Sequence, residues 1–85
     1  MVDILKKTFS YTLLTKRAQL NYSQETMSEK CCISLRQYID LEHGSYLPSF
    51  QTLVNLTINL GFNYNDFIVQ VTKNGYKPLD KDNSA

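Results

Sequence analysis

The sequence predicts an all-α domain of five helices, and three observations carry that prediction. Apolar residues recur at three- and four-residue spacing in five successive segments. A residue able to cap a helix N-terminus stands just before four of them: Ser23, Ser34, Ser49 and Asn63. The three glycines, at 44, 61 and 75, fall between or after the segments.

The first segment, residues 2 to 20, holds no Gly or Pro and places Leu5, Phe9 and Leu13 at i, i+4, i+8. A second set, Ile4, Tyr11, Leu14 and Ala18, lies on another face of the same helix. A helix apolar on two sides needs two partners. That second face is either covered within the domain or, in its early turns, meets a second subunit. From Ser23 a short helix starts near 24, with Met27 and Cys31 on its buried side. Ser34 caps another, from about 35 to 42, on which Tyr38, Leu41 and Glu42 share a face and which His43-Gly44 ends. Ile39 then points outwards, towards DNA or another protein.

Ser49 caps a fourth helix whose Phe50, Leu53, Leu56, Thr57 and Leu60 recur at helical spacing before Gly61 closes it. Asn63 precedes Tyr64, Phe67, Ile68 and Val71, which mark a fifth helix to about 73. The division is therefore a domain over 1–73 and a flexible tail over 74–85, where Gly75, Pro78 and a polar run break the periodicity.

Composition narrows the function. With 85 residues there is room for one modest core. No segment approaches the ~20 apolar residues that span a bilayer. Asp3, Lys6 and Lys7 interrupt the N-terminal apolar residues, so no signal peptide is read and a cytoplasmic location is expected. Adjacent Cys31 and Cys32 are poorly placed for an internal disulfide and give no ligand pair for zinc, and His43 has no companion at metal-ligand spacing. No glycine-rich phosphate loop occurs. Neither catalysis nor a metal or other cofactor is expected. The net charge of +1 means that any DNA binding rests on local placement of charge.

Two short helices joined by a tight turn within a five-helix bundle are an arrangement that sets one helix in a major groove. The segment from Arg17 to Phe62 carries Arg17, Ser23-Gln24, Glu42-His43-Gly44, Pro48-Ser49 and Leu60-Gly61. At these intervals it resembles the Cro and C1 repressor-like (XRE-like) helix-turn-helix family. The resemblance implies a lambda-repressor-like fold and a sequence-specific transcription regulator that binds double-stranded DNA, and the small size and leftover apolar faces point to a homodimer. It further implies a structural ion pair between Arg17 and Glu42, base contacts from Leu35, Arg36 and Asp40, and phosphate contact by Gln24, with Gln37 near the backbone. Lys30, Ser34, Ser45 and Tyr46 are placed to reach further phosphates, and Lys16 flanks the same region. Tyr64, Phe67, Ile68 and Val71, or the early face of the first helix, are the candidates for the dimer contact.

Some residues depart from the family pattern. Cys31-Cys32 stand where the family often has Leu-Gly, which puts Cys32 at a left-handed turn position. Over residues 34 to 43, Arg36 is set against Asp40 and Glu42, a formal charge of −1. Leu35 can touch only a thymine methyl, and Asp40 can accept from cytosine N4 but is repelled by phosphates. These features leave a rival open: a protein-interaction module of the same fold, such as an antirepressor or regulatory subunit.

Overall fold

A computed structural model of the chain describes residues 3–78. It is all-α, as the periodicity predicts, with α1 over Ile4–Leu20, α2 over Gln24–Cys31, α3 over Leu35–Glu42, α4 over Phe50–Leu60 and α5 over Tyr64–Lys73. Each predicted cap is used. The hydroxyls of Ser23, Ser34 and Ser49 accept from the amides of Thr26, Gln37 and Thr52, and Asn63 accepts from that of Asp66. Ser34 and Gln37 complete a reciprocal capping box at the start of α3. A fifth cap, Asp3, accepts from Lys6 N at 3.1 Å and starts α1 at Ile4.

The core collects Phe9 and Leu13 of α1, Met27 and Cys31 of α2, Tyr38 and Leu41 of α3, Leu56 and Leu60 of α4, Phe62, and Phe67 and Val71 of α5. Phe9 is its hinge. Its ring meets Phe62 and Phe67 edge-on, with centroids 5.7 and 5.8 Å away, an arrangement that adds to the area buried. At the far end of α5, Asn74 Nδ2 donates to Thr8 Oγ1 at 2.8 Å, tying that terminus to α1.

Several expectations change. The second face of α1 is not covered within the described residues, for Tyr11 is 71% and Leu14 42% exposed. On α4 the inward side is Thr52, Leu56 and Leu60, with Leu53 half-buried, while Phe50 is 82% exposed and Thr57 is also outside. The periodicity there fits two faces, and contact with α2 selects one. Asn55 Nδ2 and Asn59 Nδ2 donate to Cys31 O (3.2 Å) and Lys30 O (2.7 Å), taking up carbonyls that the end of α2 leaves without helical partners. The chain after α5 also keeps a turn, with Gly75 N on Thr72 O and Tyr76 N on Val71 O. Residues 79–85 of the expected tail lie outside the described residues.

Cys32 takes the left-handed conformation anticipated for it, at φ 60° and ψ 40°. Its amide and that of Ile33 return to Glu29 O and Ser28 O, so the turn is closed by hydrogen bonds despite the Cβ. Cys32→Gly should raise stability by about 0.5–1 kcal/mol, part of the roughly 1–2 kcal/mol that a β-carbon costs in this region. Urea unfolding measures this, and an unchanged or lower midpoint would contradict the strain. The two thiols should also differ. Burial, then the neighbouring Cys32, pushes the Cys31 thiol up to about 12, so a thiol reagent should label Cys32 alone until the protein unfolds.

Candidate nucleic-acid interface

The geometry of the helix-turn-helix is set by one buried carboxylate. Glu42, in the last turn of α3, is 5% exposed and accepts four hydrogen bonds. Its Oε2 takes Arg17 Nε at 2.6 Å and Tyr38 Oη at 2.5 Å, and its Oε1 takes Gln24 Nε2 at 3.0 Å and Arg17 Nη2 at 3.3 Å. The donors come from α1, α2 and α3, so one side chain locks three helices together. Burial by itself would raise the Glu42 carboxyl, but the bonds from Arg17, Tyr38 and Gln24 outweigh it and hold the group below its usual range. Burial and the Glu42 contact push the Tyr38 phenol in the other direction, upwards. The bond to Glu42 likewise raises Arg17.

The main chain of the same residue is also held. Ser10 Oγ donates to Glu42 O, bringing α1 against the end of α3. Gly44 follows at φ 76°, where a Cβ would stand 3.6 Å from Lys6 O and 3.7 Å from Ser10 Cβ. The backbone conformation, more than lack of room, favours glycine here.

With Tyr38, Leu41 and Glu42 turned inwards, α3 presents Leu35, Arg36 and Gln37 to solvent. Arg36 is the most exposed, its side chain 86% accessible, and its Nε lies 3.8 Å from Asp40 Oδ2 one turn on. Ser34 and Lys30 are also exposed, and Ser45 is exposed past the C-terminus of α3. Tyr46 is half-buried and donates from its hydroxyl to Gln37 O at 2.9 Å, bracing α3 from the following loop. Ile39, read as facing out, is half-buried.

Other residues lie elsewhere than expected. Gln24 directs its amide to Glu42, so it serves the internal network. Lys16 does not flank α3; its Nζ lies 3.8 Å from where a Cβ on Gly61 would stand, at the C-terminal end of α4, where a cation meets the negative end of the helix dipole. Of the four residues expected at a dimer contact, Phe67 and Val71 are core residues, 9% and 2% exposed, because α5 turns them onto Phe9 and α1. Tyr64 and Ile68 remain outside. The sequence reading missed Tyr38 Oη as a donor to Glu42 and the Asn55 and Asn59 braces. A buried tyrosine one helical turn before a buried glutamate is the signal that could have found the first.

A family model described as helix-turn-helix matches residues 13–67, from the middle of α1 into α5. No curated protein and no solved structure matches the chain. Among the described residues no helix is long and apolar enough to cross a membrane.

Removing Arg17 leaves a buried carboxylate short of its charged partner. Arg17→Ala should therefore cost about 3 kcal/mol, the lower end for a broken buried pair because the guanidinium keeps some solvent. Acid should act through the same group. Because the folded-state value of Glu42 is depressed, its contribution is present above the unfolded value near 4.5 and is lost as pH falls through the lower folded value. Unfolding free energy measured from pH 6 to pH 3 should fall less steeply in Glu42→Gln than in the wild type. Parallel slopes would contradict this assignment.

Proposed function

Since the chain belongs to the Cro/C1-type helix-turn-helix family, whose members are DNA-binding regulators, we propose that it acts as an operator-binding repressor in the cytoplasm, with α3 in the major groove. The observation that supports this reading most is the division of α3: Tyr38, Leu41 and Glu42 are pinned into the core while Arg36 stands free of it. A helix so anchored can offer one side to base edges without reorganising.

In this reading Arg36 donates two hydrogen bonds to guanine O6 and N7. Leu35 touches a thymine methyl, and Asp40 both steadies Arg36 and accepts from a cytosine amino group. The exposed i,i+4 pair with Asp40 is weak, so handing the guanidinium to a base costs little. Phosphates are met by Lys30, by Ser34 and the amides at the start of α3, and by Ser45 and Tyr46 from the loop. The Gln24 amide is engaged with Glu42, so its part is to fix α2 against α3. Two copies related by a two-fold axis would read half-sites about one helical turn apart.

The test is a mobility shift on duplexes selected from a random pool, repeated over a range of salt. Binding should weaken with salt at a log-log slope of several units, near −0.9 for each phosphate contacted. Arg36→Ala should lose about 1–3 kcal/mol of discrimination at one base pair, while Lys30→Ala should weaken every sequence alike and reduce the slope by about one. A salt-independent interaction, or one that neither substitution alters, would defeat the proposal.

A further inference from the structure

The exposed side of α1 meets α5 across an open groove. The two helices run antiparallel: Asn74, just past the end of α5, bonds to Thr8 in the second turn of α1, whereas Asn63 and Asp66 at the start of α5 share a cleft with Lys16 and Gln19. Two open clefts, of about 560 and 660 Å³, lie along this junction and have Tyr11, Thr12 and Gln70 in common, so they form one groove. From Ile4 to Gln19 it follows α1 for about 22 Å at 1.5 Å per residue, roughly the length of six or seven residues of extended chain.

We propose that this groove takes an extended acidic segment of another protein. The carboxamides of Gln19 and Gln70 and the ammonium groups of Lys7 and Lys16 line it without a hydrogen-bond or ion-pair partner among the described residues. A carboxamide both donates and accepts, so it can pair with the main-chain amides and carbonyls that an extended chain exposes. Tyr11, exposed where the two clefts join, offers a ring on which one apolar side chain can rest. A helical ligand needs a row of apolar anchors, and the groove exposes little apolar surface beyond Tyr11 and half-buried Ile4. Charge sets the sign and the direction. At the Asn74 end Lys7 lines the groove, Lys73 and Lys77 are exposed to either side of Asn74 in the sequence, and Asp3 lies 3.8 Å from Lys6. At the far end Lys16 and Asp66 offset each other. The carboxylates of the segment therefore belong beside Lys7, and its neutral residues beside Asp66. A nucleic-acid strand fits less well, because a phosphate about every 3.4 Å would bring negative charge onto Asp66. No residue of α2 or α3 lines the groove, so this site and the face carrying Arg36 can be filled at once.

Selection from a library of random twelve-residue peptides against the full chain, followed by fluorescence anisotropy with the enriched sequence, tests the assignment. Enriched peptides should share acidic residues at one end of an otherwise neutral stretch and bind with a dissociation constant on the order of 10–50 micromolar. Affinity should fall at least about tenfold in Lys7→Glu and at least about threefold in Gln70→Ala and in Tyr11→Ser, and it should weaken as salt is added. All three positions are exposed, so helical content and unfolding midpoint should be retained. Arg36→Ala, on α3, should leave peptide affinity unchanged. A library that yields no acidic consensus, a selected peptide whose affinity Lys7→Glu does not lower, or displacement of the peptide by a duplex of unrelated sequence would each overturn the assignment. None of these results bears on the reading of α3, which the mobility shift tests separately.

Discussion

The Glu42 carboxylate is the constraint on which the arrangement of the first three helices depends. A negative charge taken out of water costs several kcal/mol unless donors replace the lost hydration, and here four bonds from Arg17, Tyr38 and Gln24 do so. Those donors lie on separate helices. They can converge only when α1, α2 and α3 take one mutual orientation, so the electrostatic requirement becomes a geometric one. The bond from Ser10 to the carbonyl of the same residue repeats the constraint on the main chain. Apolar packing around Phe9 supplies cohesion but specifies direction less sharply, because dispersion contacts tolerate rotation and slippage that hydrogen bonds do not.

Fixing the inward side of α3 also fixes what faces out. Eight residues make only about two turns, so with Tyr38, Leu41 and Glu42 on one side Arg36 and Asp40 fall on the other, while Leu35, on the same side as Glu42, is exposed in the first turn. The outward side is nearly free of net charge, since Asp40 lies near Arg36 and Glu42 is matched by Arg17. In the proposed role, affinity for a polyanion would draw on the helix N-terminus, neutral hydroxyls and Lys30 more than on a basic field, and a larger fraction of the binding energy would depend on matching individual bases.

The turn and the fourth helix illustrate how a small domain satisfies backbone groups without large loops. Cys32 accepts a left-handed conformation so that its amide and the next can return to α2. Two asparagines one turn apart on α4 take the carbonyls that α2 cannot use. Because Thr52, Leu56 and Leu60 fill the core side of α4 and the two asparagines flank it against α2, the aliphatic and aromatic residues of the opposite side have no core left to enter. That exposed side is thus the complement of the way α4 braces the helix-turn-helix.

Helix positions and ends were legible from the sequence because they are local. Ser23, Ser34, Ser49 and Asn63 cap the helices that their spacing predicts. Cys32 was identifiable as a left-handed residue only because it stands where the family that the chain resembles often has glycine. The Arg17–Glu42 pair was readable only because the spacing of the surrounding motif resembles a family that has one. The side each helix buries was decided by tertiary structure. Phe50 and Leu56 both satisfy a helical repeat, as do Tyr64 and Val71, and nothing within one helix says which will find a neighbour. Burial is a relation between elements that lie far apart along the chain. Periodicity names the faces, and contact between helices chooses among them.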